Sequence, residues 1–293
     1  MIQSSATAGL QLTTSAREAF ELVCAKKRAG KTVGLVPTMG ALHAGHLNLV
    51  ERSMCECDYT VASIFVNPKQ FAPHEDFSRY PRNLDEDLAK LSAVDVDLVF
   101  APPEEDIYPP GFSTYVDVGA LAEPWEGQFR PGHFCGVATV VLKLFQIAPV
   151  DRAYFGRKDY QQVAVVKKLV ADLNLPVEIV VCPIVRAADG LALSSRNIYL
   201  SDGERKSALV ISRSLKAARE LFAAGERNGR TIRDHLQRAI SAATGVKLEY
   251  AAIVDPITLA ELSRIEGSAV AIVAAKVGNT RLIDNEVLGN DKR

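Results

Sequence analysis

The sequence lacks a charge imbalance, a membrane-length hydrophobic run and a secretory start. Its 34 Lys and Arg residues nearly balance 35 Asp and Glu residues, so the net charge of -1 supplies no broad positive field for nucleic acid or an anionic membrane. Charged or turn-forming residues interrupt every apolar run before it reaches the roughly 20 residues that cross a bilayer. The first residues lack a basic region followed by an apolar stretch, so no signal peptide is predicted.

The cysteines show no framework spacing. There are five, an odd number, and they are scattered along the chain. They are Cys24, Cys55, Cys57, Cys135 and Cys182. This usage predicts reduced thiols and a cytoplasmic protein, because disulfide scaffolds use paired and regularly spaced cysteines.

Two domains are predicted from length and hydrophobic pattern. The composition is 48% hydrophobic and 24% charged, as in globular proteins, and 293 residues exceed the usual size of one domain. Fully apolar strands separated by helices favour a parallel α/β sheet covered on both faces. Two helices followed by two strands then indicate a smaller α+β domain. We predict a parallel-sheet domain over residues 1–184 and the smaller domain over residues 185–293.

The predicted elements follow from these patterns. Strands are predicted at 32–36, 60–66, 96–100, 153–155, 177–181, 248–254 and 269–275. Helices are predicted at 45–55, 84–91, 137–147, 160–173, 207–224 and 231–243.

A first chemical motif, VPTMGALHAGHLNLV (36–50), leads from a predicted strand into a helix. The amide groups and dipole of a helix start bind phosphate well. His43 and His46 are three residues apart and can project to one side, where imidazoles donate hydrogen bonds to phosphate oxygens. Gly45 lets a nucleotide approach the backbone closely. Two alternatives are a chance placement of these residues and a zinc site completed by the Cys55–Cys57 pair.

Two later motifs supply cations and hydroxyls. GRKDYQQ (156–162) follows a short strand, with Lys158 as a mobile positive charge and Asp159 as a helix cap. LALSSRN (191–197) combines hydroxyl donors with an arginine that suits phosphate oxygens. Each motif alone is also compatible with an ordinary polar loop.

A fourth group of polar side chains could bind a second, acidic substrate. Asn67, Gln70 and Tyr80 follow the second predicted strand, and Arg130 and His133 lie in QFRPGHFCGV (128–137). Amide and hydroxyl groups at a sheet edge can orient a carboxylate and hydroxyls. Turn or surface polarity is the alternative.

Five strings follow one another along the chain: VPTMGALHAGH, SIFVNPKQF, RPGHFCGV, FGRKDYQQ and LALSSRN. RLIDN (281–285) comes after them. Together they resemble the pantothenate synthetase (pantoate–β-alanine ligase) family over about residues 25 to 285. In that family the first string is a variant of the HIGH signature of adenylate-forming enzymes. The resemblance implies a Rossmann-like domain, a smaller domain closing over the site, and a homodimer. It implies that pantoate attacks the α-phosphorus of ATP and that β-alanine attacks the pantoyl-adenylate, releasing pyrophosphate and AMP.

The resemblance also implies residue roles. His46 would be the proton donor, with His43 and Lys158 assisting at the phosphates. The implied ATP-binding residues are Pro37, Thr38, Met39, Gly40, His43, Gly45, His46, Gly156, Lys158, Asp159, Val185, Leu193, Ser194, Ser195 and Arg196. The implied pantoate and β-alanine contacts are Gln70, Gln162, Asn67, Tyr80, Arg130 and His133. The family uses Mg²⁺, for which Asp87 is a possible outer ligand.

The sequence departs from the family pattern at some positions, and rival functions stay open. Ala44 stands where the family commonly has an acid, and Arg157 stands where it usually has glutamate. One rival is a nucleotidyltransferase of the same superfamily that leaves the nucleotide on another small substrate. A second is a non-catalytic ATP-binding module. Pyrophosphate and AMP release distinguish the ligase from both.

Overall fold

A computed structural model of the protein describes residues 9–73 and 75–289. The chain divides into two compact units. The first runs to Arg157 and resumes over Gln162–Pro183, and the second comprises Lys158–Gln161 and the chain from Ile184 onward. Only the short Lys158–Gln161 segment departs from a division near residue 184. Residues 1–8, which begin the stretch predicted not to be a signal peptide, lie outside the described part.

The first unit contains a six-stranded parallel sheet in the order β1-β4-β3-β2-β5-β6. Its strands are β1 (Gln11–Thr13), β2 (Val33–Thr38), β3 (Tyr59–Ile64), β4 (Leu98–Phe100), β5 (Arg152–Gly156) and β6 (Glu178–Cys182). The predicted parallel α/β architecture is therefore confirmed.

Helices cover both faces of this sheet. They are α1 (Ala16–Arg28), α2 (Ala44–Glu56), α3 (Leu84–Ser92), α4 (Glu104–Ile107), α5 (Glu126–Phe129), α6 (His133–Ile147) and α7 (Tyr160–Asp172). Leu35 of β2 packs in one core with α1 and α6, whereas its neighbour Val36 packs with Leu49 and Val50 of α2. Successive strand residues point to opposite faces, so burial of both faces makes the strands apolar at every position.

The second unit packs two helices on an antiparallel sheet with the order β7-β8-β9. Its elements are α8 (Asp202–Ala223), α9 (Gly229–Ser241), β7 (Val246–Val254), β8 (Ala269–Val277) and β9 (Thr280–Leu288). The α+β architecture of this unit was predicted, but its third strand was not. Among the described residues, no helix is long and apolar enough to cross a membrane.

Candidate active site

A strained turn carries the first motif from β2 into α2. Gly40 and Ala41 both have positive φ, 78° and 51°. Successive backbone N–H groups in a tight turn can point toward one site, which favours an anion there. Here the anion is the carboxylate of Asp87, which accepts hydrogen bonds from the amides of Ala41 at 2.8 Å and Leu42 at 2.7 Å. Helix α3 therefore holds the turn in place.

Asp87 was predicted as a possible outer ligand of a metal, and that role stays a prediction. Both carboxylate oxygens accept amide hydrogen bonds, and the residue is 2% exposed. Burial raises the pKa of Asp87, and the hydrogen bonds from Leu42 and Ala41 oppose that rise. Across residues 9–73 and 75–289, no group of three His, Cys, Asp or Glu side chains is placed to hold a metal ion. The structure thus gives Asp87 a role in holding the backbone.

Replacing Asp87 with asparagine should destabilise the protein by about 2 kcal/mol, because an amide nitrogen would oppose one of the two buried N–H groups. Urea denaturation measures the change. Asp85→Asn is the matched control, since Asp85 lies exposed in the first turn of the same helix and should cost only about 0.5 kcal/mol. Equal losses in the two variants would contradict the proposed anchoring.

The two histidines cap helix α2 reciprocally. Nδ1 of His43 accepts from the amide of Gly45 at 3.1 Å, and Nδ1 of His46 accepts from the amide of His43 at 3.4 Å. The rings lie with their centroids 4.1 Å apart. A neutral imidazole that accepts through Nδ1 carries its proton on Nε2. Each ring can therefore present an Nε2–H donor beside the positive end of the helix dipole, an arrangement suited to phosphate.

Gln70 lies beside the same motif. It ends a short 3-10 helix, Pro68–Gln70, whose cap is Asn67. The Gln70 Nε2 atom is 2.9 Å from the sulfur of Met39, and Asn67 donates to Gln70 Oε1 at 3.0 Å. Asn67 and Gln70 are 1% and 8% exposed, so these hydrogen bonds are shielded from water. The first unit thus brings together the predicted phosphate-binding turn and two of the predicted pantoate contacts.

Arg130 and His133 hold the backbone of Gln70. Arg130 pairs with Glu75 through Nε at 2.6 Å and Nη2 at 2.9 Å, and it also donates to the Gln70 carbonyl oxygen at 3.2 Å. Nδ1 of His133 donates to that same carbonyl oxygen at 2.8 Å. The remaining ring nitrogen of His133 then accepts from Arg130 at 3.1 Å. These contacts make both residues positioning residues, and direct substrate contact by them stays a prediction.

The environment of His133 keeps its imidazole neutral. Burial and the neighbouring Arg130 guanidinium lower the pKa of His133 from its ordinary 6.5 to about 4, while the hydrogen bond to Gln70 and the charges of Glu126 and Glu75 oppose the shift. The pKa of Glu75 is lowered overall: burial raises it, but the hydrogen bond and charge of Arg130, the amide of Ala72 and the charge of His133 together lower it.

These shifts predict acid sensitivity. Between pH 4 and pH 6.5 the unfolded chain binds a proton at His133 that the folded chain does not. The contribution of His133 to the free energy of unfolding is therefore fully present above pH 6.5 and decreases as the pH falls toward 4. The full loss is about 3 kcal/mol. Glu75 adds a loss below the pKa of its unfolded form. Urea unfolding at pH 7, 6 and 5 should therefore show a steeper loss for the wild type than for His133→Asn, and parallel slopes would refute the assignment.

Other predicted residues of the first unit lie in simpler settings. Tyr80 is 6% exposed and packs edge-on against Phe71. Gly156 ends β5, and Gln162 lies in the first turn of α7. Binding by Tyr80 and Gln162 stays a prediction.

In the second unit, strand β9 anchors two of the predicted motifs. Asn285 donates through Nδ2 to the backbone oxygen of Lys158 at 2.9 Å. Asp284 forms a bidentate pair with Arg186, at 2.6 and 3.0 Å. Lys158 is flanked by Asp159, with Nζ and Oδ1 3.8 Å apart. The RLIDN string thus holds the lysine segment and, through Arg186, the hairpin that includes the start of LALSSRN.

That hairpin presents the hydroxyl motif. The amide of Leu193 donates to the oxygen of Val185 at 3.0 Å, which closes the hairpin. Ser194 then caps a 3-10 helix, Ser195–Tyr199, by accepting from the amide of Arg196 at 3.3 Å. The second unit therefore collects Lys158 and the hydroxyl motif in one compact body.

Several supporting residues were not predicted from the sequence. They are Glu75, Tyr108, Gly136, Arg186, Asp284 and Asn285. The detectable signal was strongest for Asp284 and Asn285, adjacent polar residues between the apolar pairs of the string RLIDNEVL.

Comparisons with known proteins agree on one family. A family model described as pantoate-beta-alanine ligase matches residues 11–287. A pantothenate synthetase of Roseiflexus sp. (strain RS-1) is 55% identical over 268 residues, covering 92% of this chain and 96% of the relative. The crystal structure of pantothenate synthetase from Thermus thermophilus superposes with a TM-score of 0.89 at 49% identity, covering 94% of this chain and 98% of that one.

A second solved structure includes ligands. It is the pantoate-beta-alanine ligase of Francisella tularensis complexed with beta-gamma ATP and beta-alanine, with a TM-score of 0.77 and 34% identity, covering 95% of this chain and 98% of that one. A family model that spans nearly the whole sequence, and relatives this similar over most of their length, establish the kinship. The chain belongs to the pantoate–β-alanine ligase family.

Proposed function

We propose that the protein joins pantoate to β-alanine in two steps at the expense of ATP. A carboxylate oxygen of pantoate attacks the α-phosphorus and displaces pyrophosphate. The β-alanine amine then attacks the acyl carbon of the pantoyl-adenylate, releasing AMP and a proton. The observation that carries this proposal is the pair of imidazoles at the start of α2, both with Nδ1 accepting amide hydrogen bonds, in the same unit as the buried Gln70 amide.

The roles of the residues follow from their hydrogen-bonding capacity. Nε2–H groups of His43 and His46 would donate to phosphate oxygens and stabilise the charge that develops as pyrophosphate leaves. Gln70, with Gln162, would hold pantoate by donating to its oxygens. Lys158, Ser194, Ser195 and Arg196 of the second unit would supply a cation and further donors to ATP.

Mg²⁺ fits this scheme as a companion of ATP. Magnesium usually binds phosphate oxygens and keeps several waters. We propose this mode of binding, with no direct contact from Asp87, because both carboxylate oxygens of Asp87 hold backbone amides. A homodimer, which rests on the family resemblance, and a cytoplasmic location, which rests on the cysteine usage, are further proposals. Light scattering in solution tests the first.

The decisive experiment measures pyrophosphate and AMP with ATP and pantoate, with and without β-alanine. One pyrophosphate, one AMP and one pantothenate per cycle are expected when β-alanine is present. Reactions without pantoate serve as the control. A product that retains the nucleotide after the complete reaction would favour the nucleotidyltransferase alternative, and ATP binding without any turnover would favour the non-catalytic module.

A further inference from the structure

We propose that Tyr108 is a positioning residue that, acting through Asn67, holds the Gln70 amide in the orientation that presents its NH₂ group to the acidic substrate. The inference rests on the proposed function, because it concerns how that site recognises pantoate. Tyr108 directly follows helix α4, outside all the motifs that indicated the family. Its hydroxyl oxygen lies 2.8 Å from Asn67 Oδ1.

Two backbone groups fix the orientation of the Asn67 amide. The carbonyl oxygen of Gly136 lies 3.1 Å from one end, and because a carbonyl only accepts, that end must be Nδ2. The amide N–H of Lys69 points at the other end at 3.2 Å, and because an N–H only donates, that end must be Oδ1. The Tyr108 hydroxyl is therefore the donor in its bond to Asn67.

This orientation passes on to Gln70. The Nδ2 group of Asn67 has two protons, one for Gly136 and one for Gln70 Oε1 at 3.0 Å. The Gln70 oxygen is thus occupied, and its NH₂ group lies on the side of Met39, 2.9 Å from the sulfur. A thioether is a weak acceptor, so a carboxylate or hydroxyl oxygen of a substrate can replace it readily. Gln70 consequently recognises the substrate as a donor.

The hydrogen-bonded series from Tyr108 through Asn67 to Gln70 is called the relay below. Its burial makes loss of the Tyr108 hydroxyl costly. Tyr108 is 7% exposed and Asn67 is 1% exposed, so water cannot readily replace a lost hydrogen bond. The Tyr108 ring packs against Phe112 with centroids 4.9 Å apart and Phe65 at 6.1 Å. These ring contacts are available to phenylalanine as well. Burial also raises the pKa of Tyr108, which keeps the hydroxyl protonated as a donor.

Helix α6 provides the fixed end of the relay. A Cβ on Gly136 would stand 2.2 Å from the backbone oxygen of Lys69 and 2.7 Å from the amide nitrogen of Gln70. Only glycine allows this approach, which brings the Gly136 carbonyl within reach of Asn67. The orientation of the Gln70 amide is therefore determined by the backbone groups of Gly136 and Lys69, and the hydroxyl of Tyr108 stabilises it.

The test compares Tyr108→Phe with Tyr154→Phe. Tyr154 is also buried in the first unit, at 0% exposure, but its hydroxyl bonds to Glu56 and Cys57, outside the relay. We expect Tyr108→Phe to raise the KM for pantoate about tenfold, as the loss of one buried hydrogen bond implies, with the KM for ATP unchanged within about twofold. Tyr154→Phe should leave both KM values unchanged. Equal rises for ATP and pantoate, or no rise for pantoate, would overturn the inference.

A double-mutant cycle separates positioning from general packing. In a Gln70→Ala background the Tyr108 hydroxyl has no amide to orient, so adding Tyr108→Phe should raise the pantoate KM no further. An additive effect would show that Tyr108 acts independently of Gln70, and the inference would fail.

Gln70→Glu supplies a test that leaves Tyr108 intact. One carboxylate oxygen would still accept from Asn67, while the other would face the substrate where the NH₂ group stood. We expect the pantoate KM to rise by about 100-fold or more, because an acceptor would then oppose an acid. A wild-type pantoate KM in this variant would overturn the donor assignment.

Failure of the proposed function and failure of the relay give different results. If the wild type itself releases no pyrophosphate with ATP and pantoate, the proposed function fails. An active wild type with an additive double-mutant cycle refutes only the relay.

Discussion

Replacing His46 with asparagine is expected to lower the kcat for pyrophosphate release by about 100-fold or more while leaving the protein folded. Asparagine places an amide oxygen near the position of Nδ1, so it can still accept from the amide of His43 and cap α2. It lacks the Nε2–H group that we assign to the phosphates. Pyrophosphate release with saturating ATP and pantoate measures the change, and thermal unfolding checks the fold.

The companion variant His46→Ala separates the two roles of this residue. Alanine removes both the cap and the Nε2–H donor, so its kcat should match that of His46→Asn, with an additional stability loss of about 1 kcal/mol. If the asparagine variant keeps wild-type turnover, His46 acts only as a helix cap and is not a catalytic residue.

Replacing Lys158 with methionine is expected to reduce kcat by about 100-fold, with little change in the KM for pantoate. Methionine approximates the length of the lysine side chain but removes its charge, which we assign to the developing charge on ATP. Initial rates at varied ATP and pantoate measure both constants. Lys276→Met is the matched control, because Lys276 is a half-exposed lysine of the same unit paired with Glu249.

Asn285→Ala tests whether the position of Lys158 matters as well as its charge. The variant removes the hydrogen bond to the Lys158 backbone oxygen, and a loss of roughly fivefold in kcat is expected from about 1 kcal/mol. A full rate in Lys158→Met would remove the lysine from the mechanism, and a full rate in Asn285→Ala would remove only the anchor.

Much of the first unit was predictable because burial leaves a simple pattern. The predicted strand at 32–36 corresponds to β2, and the predicted helix at 45–55 corresponds to α2. Strands buried on both faces are apolar throughout, and helices buried on one side are periodic. The predicted ends of the elements were less accurate. Helix α6 begins at His133 and not at the predicted residue 137, because a histidine and Gly136 hid its first turn from the apolar pattern.

The elements that were not predicted have weak or mixed patterns. β1 has three residues and only Thr13 is buried in it. In α1 only Ala19 and Val23 are buried, so its apolar periodicity is faint. β9 carries Asp284 and Asn285, polar residues that are uncommon inside a strand but are hydrogen-bonded here.

The contact residues of the site were easier to predict than their supports. Histidines at a helix start and amides after a strand have local signatures, and these made His46 and Gln70 candidates for substrate contact. Glu75 meets Arg130 across 55 positions of the chain, and Tyr108 meets Asn67 across 41. Nothing in a local window connects such residues, because tertiary folding alone brings them together.

The membership of Lys158 in the second unit has a consequence for dissecting this enzyme. A fragment ending at Pro183 would retain the lysine yet lose Asn285, which binds its backbone, and Pro256, whose carbonyl accepts from Tyr160 at 3.1 Å. Truncation at the boundary predicted from the sequence would thus leave the 158–161 segment without these partners. If Lys158 contacts ATP as proposed, ATP affinity measured on such a fragment should underestimate that of the intact protein.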